Sequence, residues 1–97
     1  MVTVRPGGAL AEVGEAAFVP CPLTPKQARR FVEDHAARCG LDPARHDLTA
    51  FARAVEGVAR AAHDLRDRLT SLEANPLLVG ERGAVAVDAL AEAKPPA

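Results

Sequence analysis

The sequence predicts an α+β domain: an antiparallel sheet with two helices packed on one face, in the order β-β-α-α-β-β. Three observations carry this. Two central stretches repeat apolar residues at helical spacing and open on cap signals. Short apolar runs punctuated by Gly and Pro flank them on both sides. The last of these runs folds back on itself at Gly80-Glu81-Arg82-Gly83. Ninety-seven residues make one domain, here 1–93, with Lys94–Ala97 as a Pro-rich disordered tail.

At the N-terminus, Ala9–Val13 and Ala16–Val19 read as strands turning at Gly14-Glu15, and Pro20 and Pro22 close the second because neither donates to a ladder. Thr24 then caps the first helix, with Pro25 in its first position and Gln27 completing a capping box. Ala28, Phe31, Val32, His35, Ala36 and Cys39 form its apolar face, Gly40 stops it, and Arg29–Glu33 and Arg30–Asp34 are spaced to pair outside. After a loop with Pro43, Asp47 caps the second helix, whose apolar positions are Leu48, Phe51, Ala52, Val55, Ala59, Ala62 and Leu65. Gly57 in its interior costs about 1 kcal/mol, which close packing would justify. Strands follow around Leu69–Ala74, Leu77–Val79 and Ala84–Ala89.

Composition narrows the function. Hydrophobic residues make up 48% of the chain, yet there are three Phe and no Trp or Tyr, so the core is thin and rich in Ala, Val and Leu. A chain this short buries roughly 60–65% of its unfolded surface, enough for a modest core without metals or disulfides. A net charge of −1 gives no reason to expect nucleic acid or an anionic membrane as partner. MVTVRPGG has no signal-peptide core, and no apolar run approaches the roughly 18 residues of a membrane span. Cytoplasmic location and reduced thiols at Cys21 and Cys39 are the expectation.

The last hairpin holds the functional signal. With its centre between Glu81 and Arg82, Val79 opposes Ala84, Leu77 opposes Ala86 and Asn75 opposes Asp88. Alternation then sets Glu73, Asn75 and Asp88 on one face, with opposed Cβ atoms about 4.5–5.5 Å apart. Two acids and an amide so placed suit a hard cation such as Mg²⁺, which takes few protein ligands and completes its shell with water and phosphate. A plain structural reading stands beside this one, because Asn-Pro is a common turn dipeptide and acids at strand ends are often solvated.

Leu72-Glu73-Ala74-Asn75-Pro76-Leu77, a Gly-containing turn, and Val85-Ala86-Val87-Asp88-Ala89 together resemble the C-terminal subdomain of the ATP-grasp domain in ADP-forming acyl-CoA synthetases, relatives of the succinyl-CoA synthetase β-subunit. Gly7-Gly8 before Leu10-Ala11-Glu12-Val13, and Phe18-Val19-Pro20-Cys21-Pro22-Leu23, are similar to other segments of that family but less specific. The resemblance implies Asn75 and Asp88 as Mg²⁺ ligands and Glu73 as a catalytic acid beside the phosphoryl group. It implies ATP or ADP and Mg²⁺ as cofactors, shared with an N-terminal ATP-grasp half. It also implies CoA-binding and ligase domains as partners, in the same longer protein or a separate subunit. The implied function is a partial module of an acid–CoA ligase, not active alone. Ser71 and Ala74 depart from the family's usual residues, and its Gly-x-Arg-Gly segment is not recognisable in Arg38–His46. These departures favour the alternative, a non-catalytic remnant or subunit-association module with the same fold.

Other residues read as structural. His35, His46 and His63 are core or surface histidines, Cys21 and Cys39 lack the spacing of a zinc site, and Arg53 and Arg60 lie on a solvated helix face. Pro6-Gly7-Gly8 is a turn before it is a phosphate loop.

Overall fold

The computed structural model describes residues 2–4, 17–19 and 22–96. Helix α1 spans Pro25–Cys39 and α2 spans Leu48–Asp64, each beginning where its cap demands. Thr24 Oγ1 accepts the Gln27 amide at 3.1 Å while the Thr24 amide donates to Gln27 Oε1 at 2.9 Å, so the capping box is complete. Gly40, at φ 74°, ends α1 in a left-handed conformation that a side chain would resist. Asp47 Oδ1 accepts the Ala50 amide at 3.0 Å and starts α2.

The core is the seam between these helices. Ala28, Val32 and Ala36 of α1 meet Leu48, Phe51, Ala52, Val55 and Ala59 of α2, and all eight are buried. His35 joins them, its ring edge-on to Phe51 with centroids 6.2 Å apart. Truncating a buried Phe costs about 3–5 kcal/mol, against roughly 1 for a lost cap. Apolar burial therefore holds the helices, and the caps fix where they begin. At the surface, Arg29 pairs with Glu33 at 2.6 Å and also donates to Thr49 of α2. Arg30 and Asp34 form no ion pair among the described residues. Leu65 is not a core position, since it is the C-cap of α2 and 39% exposed.

The α+β class and the antiparallel pairing are as expected, and among the described residues the strands form three two-stranded pairs. Strand β2, Ala17–Val19, pairs with β1, Val2–Val4, a partner that the sequence reading did not anticipate. The expected strand Ala9–Val13, its Gly14-Glu15 turn, Pro20 and Cys21 lie outside the described residues. At the other end, β3 (Leu69–Ala74) pairs with β6 (Ala89–Ala93), and β4 (Leu77–Gly80) with β5 (Gly83–Ala86). The expected strand Ala84–Ala89 is thus divided, and pairing runs on to Ala93. Backbone demand explains the extension: β3 needs an opposing strand for its amides and carbonyls, and the register brings Ala89–Ala93 to it. The Lys94 amide still donates to the Arg68 carbonyl at 2.8 Å.

Both pairs share one register, from Ser71↔Glu92 through Ala74↔Ala89 to Leu77↔Ala86 and Gly80↔Gly83. They are one long ribbon with an interruption. Helix α2 lies against β3, β4 and β5, with Leu77 and Val79 packed on the core. The Asp47 amide donates to the Gly80 carbonyl at 2.7 Å, which ties the ribbon tip to the start of α2.

Gly57 does not serve close packing. It is exposed, and a Cβ built there meets nothing within 4 Å. Gly57→Ala should therefore raise stability by about 0.5–1 kcal/mol, read as a higher urea midpoint at unchanged slope. An unchanged or lower midpoint would show a constraint at Gly57 that the helix geometry lacks.

His35, 4% exposed, contacts Cys39 Sγ at 3.4 Å through Nε2. Burial lowers its pKa from the usual 6.5, and the Arg38 guanidinium adds to the effect. The unfolded chain therefore takes up this proton before the folded one does. The stabilising contribution is complete above pH 6.5 and is lost as pH falls through 6.5 toward the lower folded value. Denaturation across that window should show stability declining toward acid, and His35→Leu should flatten the decline.

Candidate functional site

The interruption of the ribbon is where the oxygen-bearing side chains stand. Pro76 has no amide to donate, so the ladder cannot pass through it unbroken. The Asn75–Pro76 peptide is cis. Two hydrogen bonds carry the register across the gap: the Asn75 amide donates to the Asp88 carbonyl at 3.0 Å, and the Val87 amide to the Pro76 carbonyl at 2.9 Å. Asn75 therefore opposes Asp88, as the turn count predicts.

Burial shows that the gap also changes which residues face α2. In β3 the half-buried residues after the bulge are Leu72 and Ala74, while in β4 they are Leu77 and Val79. The step from even to odd positions falls at Asn75-Pro76. Glu73, Asn75 and Asp88 are all exposed. Asn75 Nδ2 donates to Glu73 Oε1 at 3.2 Å, bringing these two side chains together. Asp88 turns to its own strand, where Oδ1 accepts the Ala89 amide at 2.8 Å. No side-chain hydrogen bond links Asn75 to Asp88.

The electrostatics are one-sided. Neither Glu73 nor Asp88 has an ion-pair partner among the described residues. Asn75 spends its amide nitrogen on Glu73, which leaves its carbonyl oxygen as the free end. One oxygen each from Glu73, Asn75 and Asp88 accepts no hydrogen bond from the described residues. Such a set, two carboxylates and an amide open to solvent, fits a hard cation that keeps water or phosphate in its shell. Among the described residues no group of three or more His, Cys, Asp or Glu could hold a metal ion. A closed protein cage of the zinc or calcium type is thus not what these residues build.

The same ribbon exposes Leu78, Val85, Val87 and Leu90, each 56–60% accessible. Leu78 and Val85 are cross-strand partners, Leu90 pairs with Glu73, and Val87 is bonded to Pro76. Leu90 and Val87 thus adjoin the polar triplet, with Leu78 and Val85 further toward the ribbon tip, a feature that reading each strand separately does not reveal. A concavity at the foot of α2, around His63, Arg66 and Ser71, is marked by no motif. No helix among the described residues is long and apolar enough to cross a membrane. No protein-family model, curated protein or solved structure matches the chain.

Asp88→Asn keeps the shape of the triplet and removes a full charge, so a divalent cation held there, alone or with ADP, should bind several-fold more weakly with the fold intact. Amide shifts of residues 73–77 and 87–89 during an NMR titration report this. Equal titrations of the two proteins would remove Asp88 from the site.

Proposed function

We propose that this chain is a partial ATP-grasp module of an ADP-forming acid–CoA ligase. It contributes Mg-nucleotide phosphate binding for phosphoryl transfer and is incomplete on its own. The observation that carries the reading is the continuous register across the Asn75-Pro76 gap, which brings Glu73, Asn75 and Asp88 to one point of the ribbon without a countercharge. In this reading Asn75 and Asp88 hold Mg²⁺, and Glu73 is the acid beside the transferred phosphoryl group. Bound there, the ion would neutralise charge on the phosphate oxygens, the main chemical demand of phosphoryl transfer. Glu73, tied to Asn75, orients the amide so that its oxygen is the end left for the metal. The partners are an N-terminal ATP-grasp half and CoA-binding and ligase domains, working with ATP in the cytoplasm.

One observation favours a second reading. Leu78, Val85, Val87 and Leu90 are an exposed apolar group on the same ribbon, which suits a module retained for subunit association. Both readings need a partner over the ribbon; they differ in whether chemistry follows.

Phosphoryl transfer depends on closing two subdomains around the phosphates and aligning the acceptor, which one ribbon cannot do. The purified chain with ATP, Mg²⁺, CoA and a panel of short acids should therefore give no ADP or acyl-CoA. Adding a separate N-terminal ATP-grasp half and ligase domain should restore turnover that Glu73→Gln abolishes. Turnover by the chain alone, above a Glu73→Gln/Asp88→Asn control, would contradict incompleteness. Association with the half but no turnover would support the association module.

A further inference from the structure

The concavity at the foot of α2 is a half-open groove with room for about 350 Å³, enough for a small organic ligand. Its apolar residues are Ala62, Leu69 and Leu72, all half-buried. His63, Arg66 and Ser71 bring an imidazole, a guanidinium and a hydroxyl to the same space, and no carboxylate among the described residues lines it. Thr70, also at the wall, uses its hydroxyl on the Glu92 carbonyl at 3.2 Å.

Arg66 is the organising group. Its Nη1 donates to the His63 carbonyl at 2.8 Å, which fixes the guanidinium at the helix end and leaves its other donors free. It has no ion pair among the described residues, and the Ser71 hydroxyl and His63 ring make no hydrogen bond there. The end of α2 carries a partial negative charge of its own, so an anion is held here only through the full charge of Arg66. A fixed guanidinium matches a planar carboxylate, and the apolar residues match a short hydrocarbon tail. Inorganic phosphate would use the fork and leave that apolar surface uncovered.

We propose that this groove binds a small organic carboxylate with a short apolar tail. The inference is independent of the nucleotide reading, since it uses none of Glu73, Asn75 and Asp88.

Parallel NMR titrations of the whole chain with butyrate, butyramide and inorganic phosphate test it. Butyrate should give saturable shifts at Ala62, Leu69, Ser71 and Leu72. Butyramide, which lacks the charge, should bind about tenfold more weakly, and phosphate more weakly than butyrate. Arg66→Gln should weaken butyrate at least about fivefold, with α1 resonances unmoved. Equal binding of butyrate and butyramide, tighter binding of phosphate, or an unchanged titration in Arg66→Gln would each overturn the proposal. If Arg66→Gln disturbs α1, Ser71→Ala decides instead: weaker butyrate binding supports the site and an unchanged titration refutes it.

Discussion

Helix α2 holds the ribbon at its tip through the bond from the Asp47 amide to the Gly80 carbonyl, and along its length through Leu77 and Val79. A two-stranded ribbon is marginal in water by itself, so this seat on the helix is what gives it a fixed geometry. The helix in turn depends on α1, because Phe51, Val55 and Ala59 are buried together with Val32 and Ala36. The order of dependence is clear: the helix seam supports α2, α2 supports the ribbon, and the ribbon positions the polar triplet.

The triplet exists because the ladder is broken without losing register. An unbroken pair would keep alternating and leave the residues facing α2 at even positions beyond Ala74. The step at Asn75-Pro76 lets Leu77 and Val79 reach the core while Glu73 and Asn75 stay in solvent. Pro76 serves both ends, since it cannot donate and its carbonyl accepts from Val87. The result is an exposed polar patch with apolar neighbours, whose two carboxylates have no ion-pair partner among the described residues. That combination suits a cation brought by a phosphate-bearing ligand, or a partner surface that covers both kinds of side chain.

The helices were legible because their signals are local. Thr24, Pro25, Gln27 and Gly40 bound α1 without tertiary information, and Asp47 does the same for the start of α2. The opposition of Asn75 and Asp88 was legible because a turn fixes register by counting. Other features depend on partners distant in sequence. Strand β6, Ala-Leu-Ala-Glu-Ala, has helix-forming composition and becomes a strand because β3 is opposite. The pairing of β1 with β2 joins segments more than ten residues apart; the β-branched run Val2-Thr3-Val4 marks a strand but does not name its partner. Gly57 suggested packing from its position alone, whereas the space around it is empty. The side-chain link of Glu73 to Asn75 and the turn of Asp88 toward Ala89 are rotamer choices that strand alternation leaves open.

Paramagnetic broadening tests the central claim most directly, because it reports where a metal sits rather than whether one binds. Mn²⁺ with ADP, added at substoichiometric amounts to the isotopically labelled chain, should broaden the amides of residues 73–77 and 87–89 first. Asp88→Asn should lose that selectivity while its unbroadened spectrum keeps the fold. Broadening spread evenly over exposed acids such as Glu33, Glu81 and Glu92, or centred away from the Asn75-Pro76 gap, would contradict a cation site built by the ribbon's register.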